Sequence, residues 1–183
     1  MSQDDIKRLE RKFRKSIIDT SSRLGMDTAL VEKDALREII QYLRDDEKLV
    51  YDFLRELTCV DYLHREPRFE MVYVLYSMSR KKQVVIKVAL TEDDPTVDSL
   101  HDLYGCANWG EREVWDMYGV RFKGHPDMRR ILMYEEFEGH PLRKDYVKQE
   151  SQPRVELRGP ERDSVEEFRT FHQGRDVTGS RQA

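Results

Sequence analysis

Apolar residues open the chain at spacings of three and four, Ile6, Leu9, Phe13 and Ile17, with Lys7, Arg8, Arg11, Lys12, Arg14 and Lys15 mostly on the other faces. That period predicts an amphipathic helix over residues 3–24 closing near Gly25, so residues 1–25 read as an N-terminal helical unit. Asp4, Asp5, Glu10 and Asp19 dilute its positive charge, which favours packing on the domain or on a partner over adhesion to anionic lipid. Ala29 to Glu32 reads as a short strand. Leu36, Ile39, Ile40 and Leu43 then share one face of a second helix from about Lys33 to Arg44, and Leu49 to Leu57 reads as a short third helix.

The period then changes to two. Thr58–His64, Arg68–Met78 and Gln83–Leu90 are rich in Val, Ile and Tyr; Phe69, Met71, Tyr73 and Leu75 share one face of the second run, and Val84, Ile86, Val88 and Leu90 one face of the third. Connections as short as Arg65–Pro67 and Ser79–Lys82 join only antiparallel neighbours, because parallel strands need a long crossover. The expected fold is α+β: two layers, with a mainly antiparallel sheet built on a meander and covered by helices, over residues 26–146. A helical stretch returns between Pro95 and Tyr118, and a basic segment punctuated by Gly, His and Pro follows to Tyr146. Residues 147–183 form a polar C-terminal tail whose only aromatics are Phe168 and Phe171, too few to order it alone; it is expected to dock on a partner or stay disordered.

Composition narrows the function classes. The 32 basic and 36 acidic residues nearly cancel, so no basic footprint for nucleic acid is expected. No apolar run approaches the roughly 20 residues of a membrane span and no signal peptide opens the chain, which is expected to be soluble and unexported. Cys59 and Cys106 stand 47 positions apart and are expected to be buried, reduced thiols, too few for an iron–sulfur cluster. GxGxxG, GxxxxGK[ST] and GxSxG motifs are absent, so a nucleotide cradle or serine elbow is not expected.

The chemistry-bearing stretch is Cys106–Tyr118. On a helical wheel Ala107, Val114, Trp115, Met117 and Tyr118 make an apolar arc that includes Glu111, and a carboxylate there needs a partner or a proton. Trp109 lies on the opposite arc with Arg112, Glu113 and Asp116, which suggests that this second face is covered too; Arg112 and Asp116 are spaced for an i, i+4 pair. Two turn elements follow, Gly124-His125-Pro126 before Arg129 and Arg130, and Gly139-His140-Pro141 before Arg143, Lys144 and Asp145. The structural expectation is an ion-pair network of Glu111, Glu113 and Asp116 with Arg112, Arg129, Arg130 and Arg143 that locks the turn segment on the helix. Two functional alternatives stand beside it: a metal site of His125 and His140 with Glu135 or Glu138, and acid/base catalysis by Glu111.

The run Asn108–Leu132, with Glu111-Arg112-Glu113, Asp116, His125 and Arg129, resembles the signature of the respiratory complex I 30 kDa subunit family, the C-type subunits of NADH-quinone oxidoreductases. Gly139–Tyr146 is similar to the family's second landmark and Leu57–Tyr62 to its preceding segment, so the resemblance covers roughly residues 28–146. It implies a cofactor-free structural component with no catalytic residues of its own. Such a component sits in the peripheral arm of a complex that passes electrons from NADH to quinone and moves protons. Its expected partners are the large 49 kDa-type quinone-module subunit and the terminal-cluster subunit, with FMN and iron–sulfur clusters held by partner subunits. The implied location is the cytoplasmic face of the bacterial inner membrane. Trp109, Glu111, Arg112, Glu113, Asp116, His125, Arg129, Arg130, His140, Arg143, Lys144 and Asp145 are then the expected interface and ion-pair residues. Related domains in membrane-bound hydrogenases and other quinone-reducing complexes leave the electron donor open.

Overall fold

The central β region sets the architecture. β3 (Phe53–Asp61), β4 (Phe69–Ser77) and β5 (Lys82–Leu90) form an antiparallel meander in which Tyr73 pairs with Leu57 on one side and Ile86 on the other. Alternation along β4 buries Phe69, Met71, Tyr73 and Leu75 on a single face, and β5 buries Val84, Ile86, Val88 and Leu90 beside them, as the period of two requires. The computed structural model describes residues 3–147 and 151–153.

The N-terminal segment joins the same sheet instead of forming a separate helical unit. α1 (Gln3–Lys12) is half the expected length, and the chain turns at Phe13 into β1 (Ile17–Arg23) and β2 (Met26–Val31). Ile17 continues the helical spacing only by coincidence, since it belongs to a strand. Leu24 and Gly25 both adopt positive φ, +53° and +80°, giving the two-residue turn whose twist suits a hairpin. Leu24 is 99% exposed there, the reason an apolar residue can occupy a turn without packing.

After β2 a 3₁₀ turn (Lys33–Ala35) leads into α2 (Leu36–Asp45), which buries Leu36, Ile39, Ile40 and Leu43 as its period demands. Each such side chain contributes about 1.5–3 kcal/mol on leaving water. α2 carries the chain to the far edge of the sheet, and the meander then returns and lays β5 parallel to β2. The strand order is β1-β2-β5-β4-β3, a mixed, mainly antiparallel five-stranded sheet with one face under helices. The third helix expected over Leu49–Leu57 is absent. A register shift between Leu54 and Glu56 changes which face is buried, so Leu54 and Leu57 both point inward at a spacing that mimics a helix.

Pro95 does not begin a helix either. β6 (Thr96–Asp98) pairs in parallel with β7 (Arg121–Lys123), tight turns follow β6, and α3 runs only over Ala107–Tyr118. α1 is held by Asp5, which accepts from Tyr51 Oη (2.9 Å) and Arg80 Nη2 (2.8 Å). Cys59 is buried, and burial pushes its thiol up to about 12, whereas Cys106 is exposed, contrary to the expectation that both are buried. The compact unit runs Met1–Gln152; most of the tail expected over 147–183 lies outside the described residues. Gln152 still packs on the domain, bonding Glu138 through both amide atoms.

Candidate functional site

α3 lies against β3, close enough that a Cβ on Gly110 would approach Leu57 Cβ to 3.3 Å. A helix leaves its last four carbonyls without helical partners, and the segment after α3 supplies donors for all four. Gly119 N–H bonds Trp115 O (2.8 Å) in a left-handed cap with φ +80°. His140 Nδ1–H donates to Asp116 O (3.0 Å), Leu142 N–H to Met117 O (3.1 Å) and Arg143 Nε–H to Tyr118 O (2.6 Å). The second Gly-His-Pro turn is thus a C-terminal cap, and the positive charge of Arg143 also suits the negative end of the helix. Burial lowers the pKa of His140, against the pull of its bond to Asp116 O, so the ring is a neutral donor.

The first turn is fastened from α3 itself. Asp116 is 0% exposed; its Oδ2 accepts from Ile131, Leu132 and Met133 N–H (3.1, 2.9 and 2.9 Å) and its Oδ1 from Arg130 Nη1 (2.6 Å). Burial alone would raise this carboxyl, but the three amides and the guanidinium outweigh it and hold the pKa below the ordinary value. Arg130 also donates to Phe137 O (2.7 Å) and Gly139 O (3.2 Å), with its guanidinium near the Trp115 and Phe137 rings. Arg112 does not pair with Asp116 as its spacing suggested. It donates to Arg129 O (3.1 Å) and Arg130 O (3.2 Å) and lies over the Trp109 ring.

Residues 124–146 therefore form a strap with little regular structure, pinned along α3. Its far end is clamped to the sheet by Arg68, which is 3% exposed. Arg68 donates to both oxygens of Asp61 (2.9 Å each), both of Asp145 (2.7 and 3.1 Å) and to Glu92 (2.5 Å), and Lys144 N–H adds a bond to Asp61 (2.8 Å). The guanidinium, opposed by burial, holds Asp61 below the ordinary carboxylate range. Asp61 and Arg68 were missed in the sequence. They flank a hairpin connection, and an acid and a base in those places are the signal that could have found them.

Glu111 departs from the expected ion-pair network. It is 0% exposed, and its bonds come from neutral donors, Ser99 Oγ–H (2.5 Å) and Leu100 N–H (2.7 Å). Burial raises its pKa to about 7 against those two bonds. Ser99 was also missed. Arg129 instead pairs with Asp127 in solvent, and Glu113 is exposed.

The metal alternative does not fit His125. His125 Nε2–H donates to Asn108 O (3.2 Å) while Nδ1 accepts from Asp127 N–H (3.1 Å), so neither ring nitrogen has a lone pair to offer. Among the described residues no three His, Cys, Asp or Glu side chains gather for a metal.

A family model described as the respiratory-chain NADH dehydrogenase 30 kDa subunit matches residues 29–152, more than half of the chain. The chain belongs to this family. It is similar to the C-type subunit of the NADH-quinone oxidoreductase of Citrifermentans bemidjiense, 42% identical over 85% of this chain and 90% of the relative. The corresponding subunit of Roseiflexus castenholzii is 44% identical over 75% of this chain and 79% of its own. A solved trypsin-resistant fragment of Nqo5 matches with a TM-score of 0.59 and 29% identity, covering 69% of this chain and 99% of that one. A chain from an archaeal membrane-bound sulfane sulfur reductase shares the fold, with a TM-score of 0.67 at 21% identity over 81% of this chain and 86% of that one.

In this 30 kDa-family chain the twelve residues singled out from sequence are brought to α3 and its strap, where they play unequal parts. Asp116, Arg130, His140, Arg143 and Asp145 fasten the strap through their side chains, Lys144 through its amide, and Arg112 and His125 tie it to the upper turns of α3. Trp109 does none of this. It is 62% exposed, and Leu132 and Leu142 on the strap are also exposed. No helix among the described residues is long and apolar enough to cross a membrane.

Proposed function

We propose that this chain is a structural and assembly component of the peripheral arm of a proton-translocating NADH:quinone oxidoreductase, acting through the rigid surface of α3 and its strap. The observation that carries the reading is the strap itself. More than twenty residues with little regular structure are immobilised by buried charge and by helix-end carbonyls, while Trp109, Leu132 and Leu142 remain exposed on the rigid result. Ordering a loop is costly, and a preordered surface bearing Trp, Arg and Leu is what protein docking uses. The relatives, named as subunits of NADH-quinone oxidoreductase, support the choice of complex. In this reading the partners are the large quinone-module subunit and the terminal-cluster subunit, which hold or adjoin the iron–sulfur path, and FMN belongs to a partner. The chain then lies on the cytoplasmic face of a bacterial inner membrane, attached through those partners, and electron transfer uses no group of its own.

A tagged full-length chain recovered from gently solubilised membranes tests this. Mass spectrometry should find flavin, iron–sulfur and membrane subunits, with NADH:quinone reductase activity in the same eluate. Trp109→Ala should leave the chain's own melting temperature within about 2 °C, since an exposed side chain contributes little, yet lower recovery of the other subunits. A hydrogenase set of partners would reassign the complex, and a solitary chain would end the assembly reading.

A further inference from the structure

We propose that Glu111 is a proton-binding site beneath α3, connected to solvent by a relay through the Ser99 hydroxyl and the His101 imidazole. The geometry supplies every link. Ser99 Oγ–H donates to Glu111 Oε2 at 2.5 Å, and Ser99 Oγ lies 3.0 Å from Nδ1 of His101, a side chain that is partly exposed. Imidazole is the side chain that exchanges protons with water near neutral pH.

The site is distinguished by comparison within the same molecule. Asp61, Asp116 and Glu111 are all buried carboxyls, but Asp61 touches Arg68 and Asp116 touches Arg130, whereas among the described residues both hydrogen bonds of Glu111 come from uncharged donors. A buried carboxylate without a cation in contact favours its protonated form. The charged and titratable groups around it oppose one another. Arg37 on α2 attracts the carboxylate, but that guanidinium is itself engaged by Asp102 and by Ser99 O. Asp102 repels the carboxylate from the turn, and Asp98 of β6 adds negative charge to the Arg37 and Tyr73 neighbourhood.

From β4 the fully buried Tyr73 faces the same region, within electrostatic reach of Glu111, and its hydroxyl has no hydrogen-bond partner among the described residues. From the strap His125 sits with its ring centroid 6.0 Å from that of His101; burial, opposed by its bond to Asn108 O, lowers its pKa, so it does not compete for the proton. Balance between these neighbours leaves burial as the main influence on Glu111, and its pKa is raised to about 7.

Proton uptake is one concerted shift. An imidazolium at His101 gives its Nδ1 proton to Ser99 Oγ as Ser99 passes its own hydroxyl proton to Glu111 Oε2. One N–H bond breaks, one carboxyl O–H bond forms, serine remains a hydroxyl, and a neutral imidazole protonated at Nε2 is left to recover a proton from water. Glu111 faces away from the exposed Trp109 side of α3, so this site holds whether or not that side docks a partner.

Carbon-13 NMR of the glutamate side-chain carboxyls in the full chain, titrated over roughly pH 4–9, tests it. One resonance, absent in Glu111→Gln, should titrate with a midpoint near 7, more than two pH units above its free counterpart. His101→Gln should leave that midpoint high but move the resonance from fast exchange to broadened or slow exchange, and Ser99→Ala should do the same while raising the midpoint further. A Glu111 midpoint in the ordinary carboxylate range overturns the site; unchanged exchange in both relay variants overturns the path. If Ser99→Ala disturbs the amide spectrum, His101→Gln alone decides the path.

Discussion

Asp116→Ala should unfasten the strap. The substitution strands the Ile131, Leu132 and Met133 amides and the guanidinium of Arg130, whose side chain is only 14% exposed. Hydrogen bonds to a charged acceptor contribute about 1.5–3 kcal/mol each, and removing one member of a buried ion pair costs about 3–5 kcal/mol. The full sum overshoots, because Leu132 is exposed and water can reach the freed amides. The expected loss is about 3–4 kcal/mol, a large share of a domain's total stability. Asp116→Asn separates the contributions. Its carbonyl can still serve the three amides but its NH₂ then faces Arg130, so the loss should fall to about 2 kcal/mol.

The assay is urea denaturation of the full chain followed by circular dichroism, with Trp115 fluorescence as a local reporter because Arg130 lies over that ring. Acid titration adds a sign. The Asp116 pKa is depressed in the folded state, so its contribution is present above the unfolded carboxyl value and lost as pH falls through the folded one. The wild type should therefore lose its advantage over Asp116→Asn on acidification below about pH 4. An Asp116→Ala protein within about 0.5 kcal/mol of wild type, with unchanged Trp115 emission, would refute the fastening by Asp116.

Glu111→Gln should show the opposite pH sign: the folded-state pKa is raised to about 7, so wild-type stability is greatest below the ordinary carboxyl range, falls as pH rises to about 7 and then levels. The variant should remove that slope and match or exceed wild type at pH 8 by up to roughly 3 kcal/mol; parallel pH–melting curves would contradict this. Gly119→Ala meets both a left-handed φ of +80° and His140 Nε2 at 2.6 Å, and should cost about 2–3 kcal/mol. Gly25→Ala, at the same φ with nothing within 4 Å, should cost only about 1 kcal/mol, and equal thermal shifts for the two would sink the packing explanation. Arg68→Met should destabilise by about 3–5 kcal/mol by stranding Asp61, with Arg68→Lys intermediate because an ammonium cannot serve Asp61 and Asp145 with paired bonds. Calorimetry ranking lysine as poorly as methionine would argue against the bidentate geometry.

Where local pattern and tertiary burial agreed, the sequence was readable. β4 and β5 alternate cleanly because one of their faces meets the helices, and α2 carries its apolar stripe for the same reason. It misled where spacing was ambiguous. Ile17 sits one helical step after Phe13 but in a strand, and Leu54 and Leu57 are three apart because of a bulge. The hairpin turn at Leu24-Gly25 was obscured by a leucine in a left-handed conformation that such residues seldom adopt.

The candidate site divides along the same line. Sequence by itself determined that Glu111 lies on the apolar side of a helix and that two Gly-His-Pro turns with basic residues follow, because helical angle and turn chemistry are local properties. It also carried the family, through the order and spacing of residues between Asn108 and Leu132. Only the tertiary structure decided the partners. Asp116 rather than Glu111 received the arginine, Arg112 turned to carbonyls, Arg68 reached Asp145 from a distant segment, and Ser99 folded back from the turns before α3. Charge pairing is settled by which groups the fold desolvates together, and that depends on how the chain folds back on itself, which no local spacing encodes.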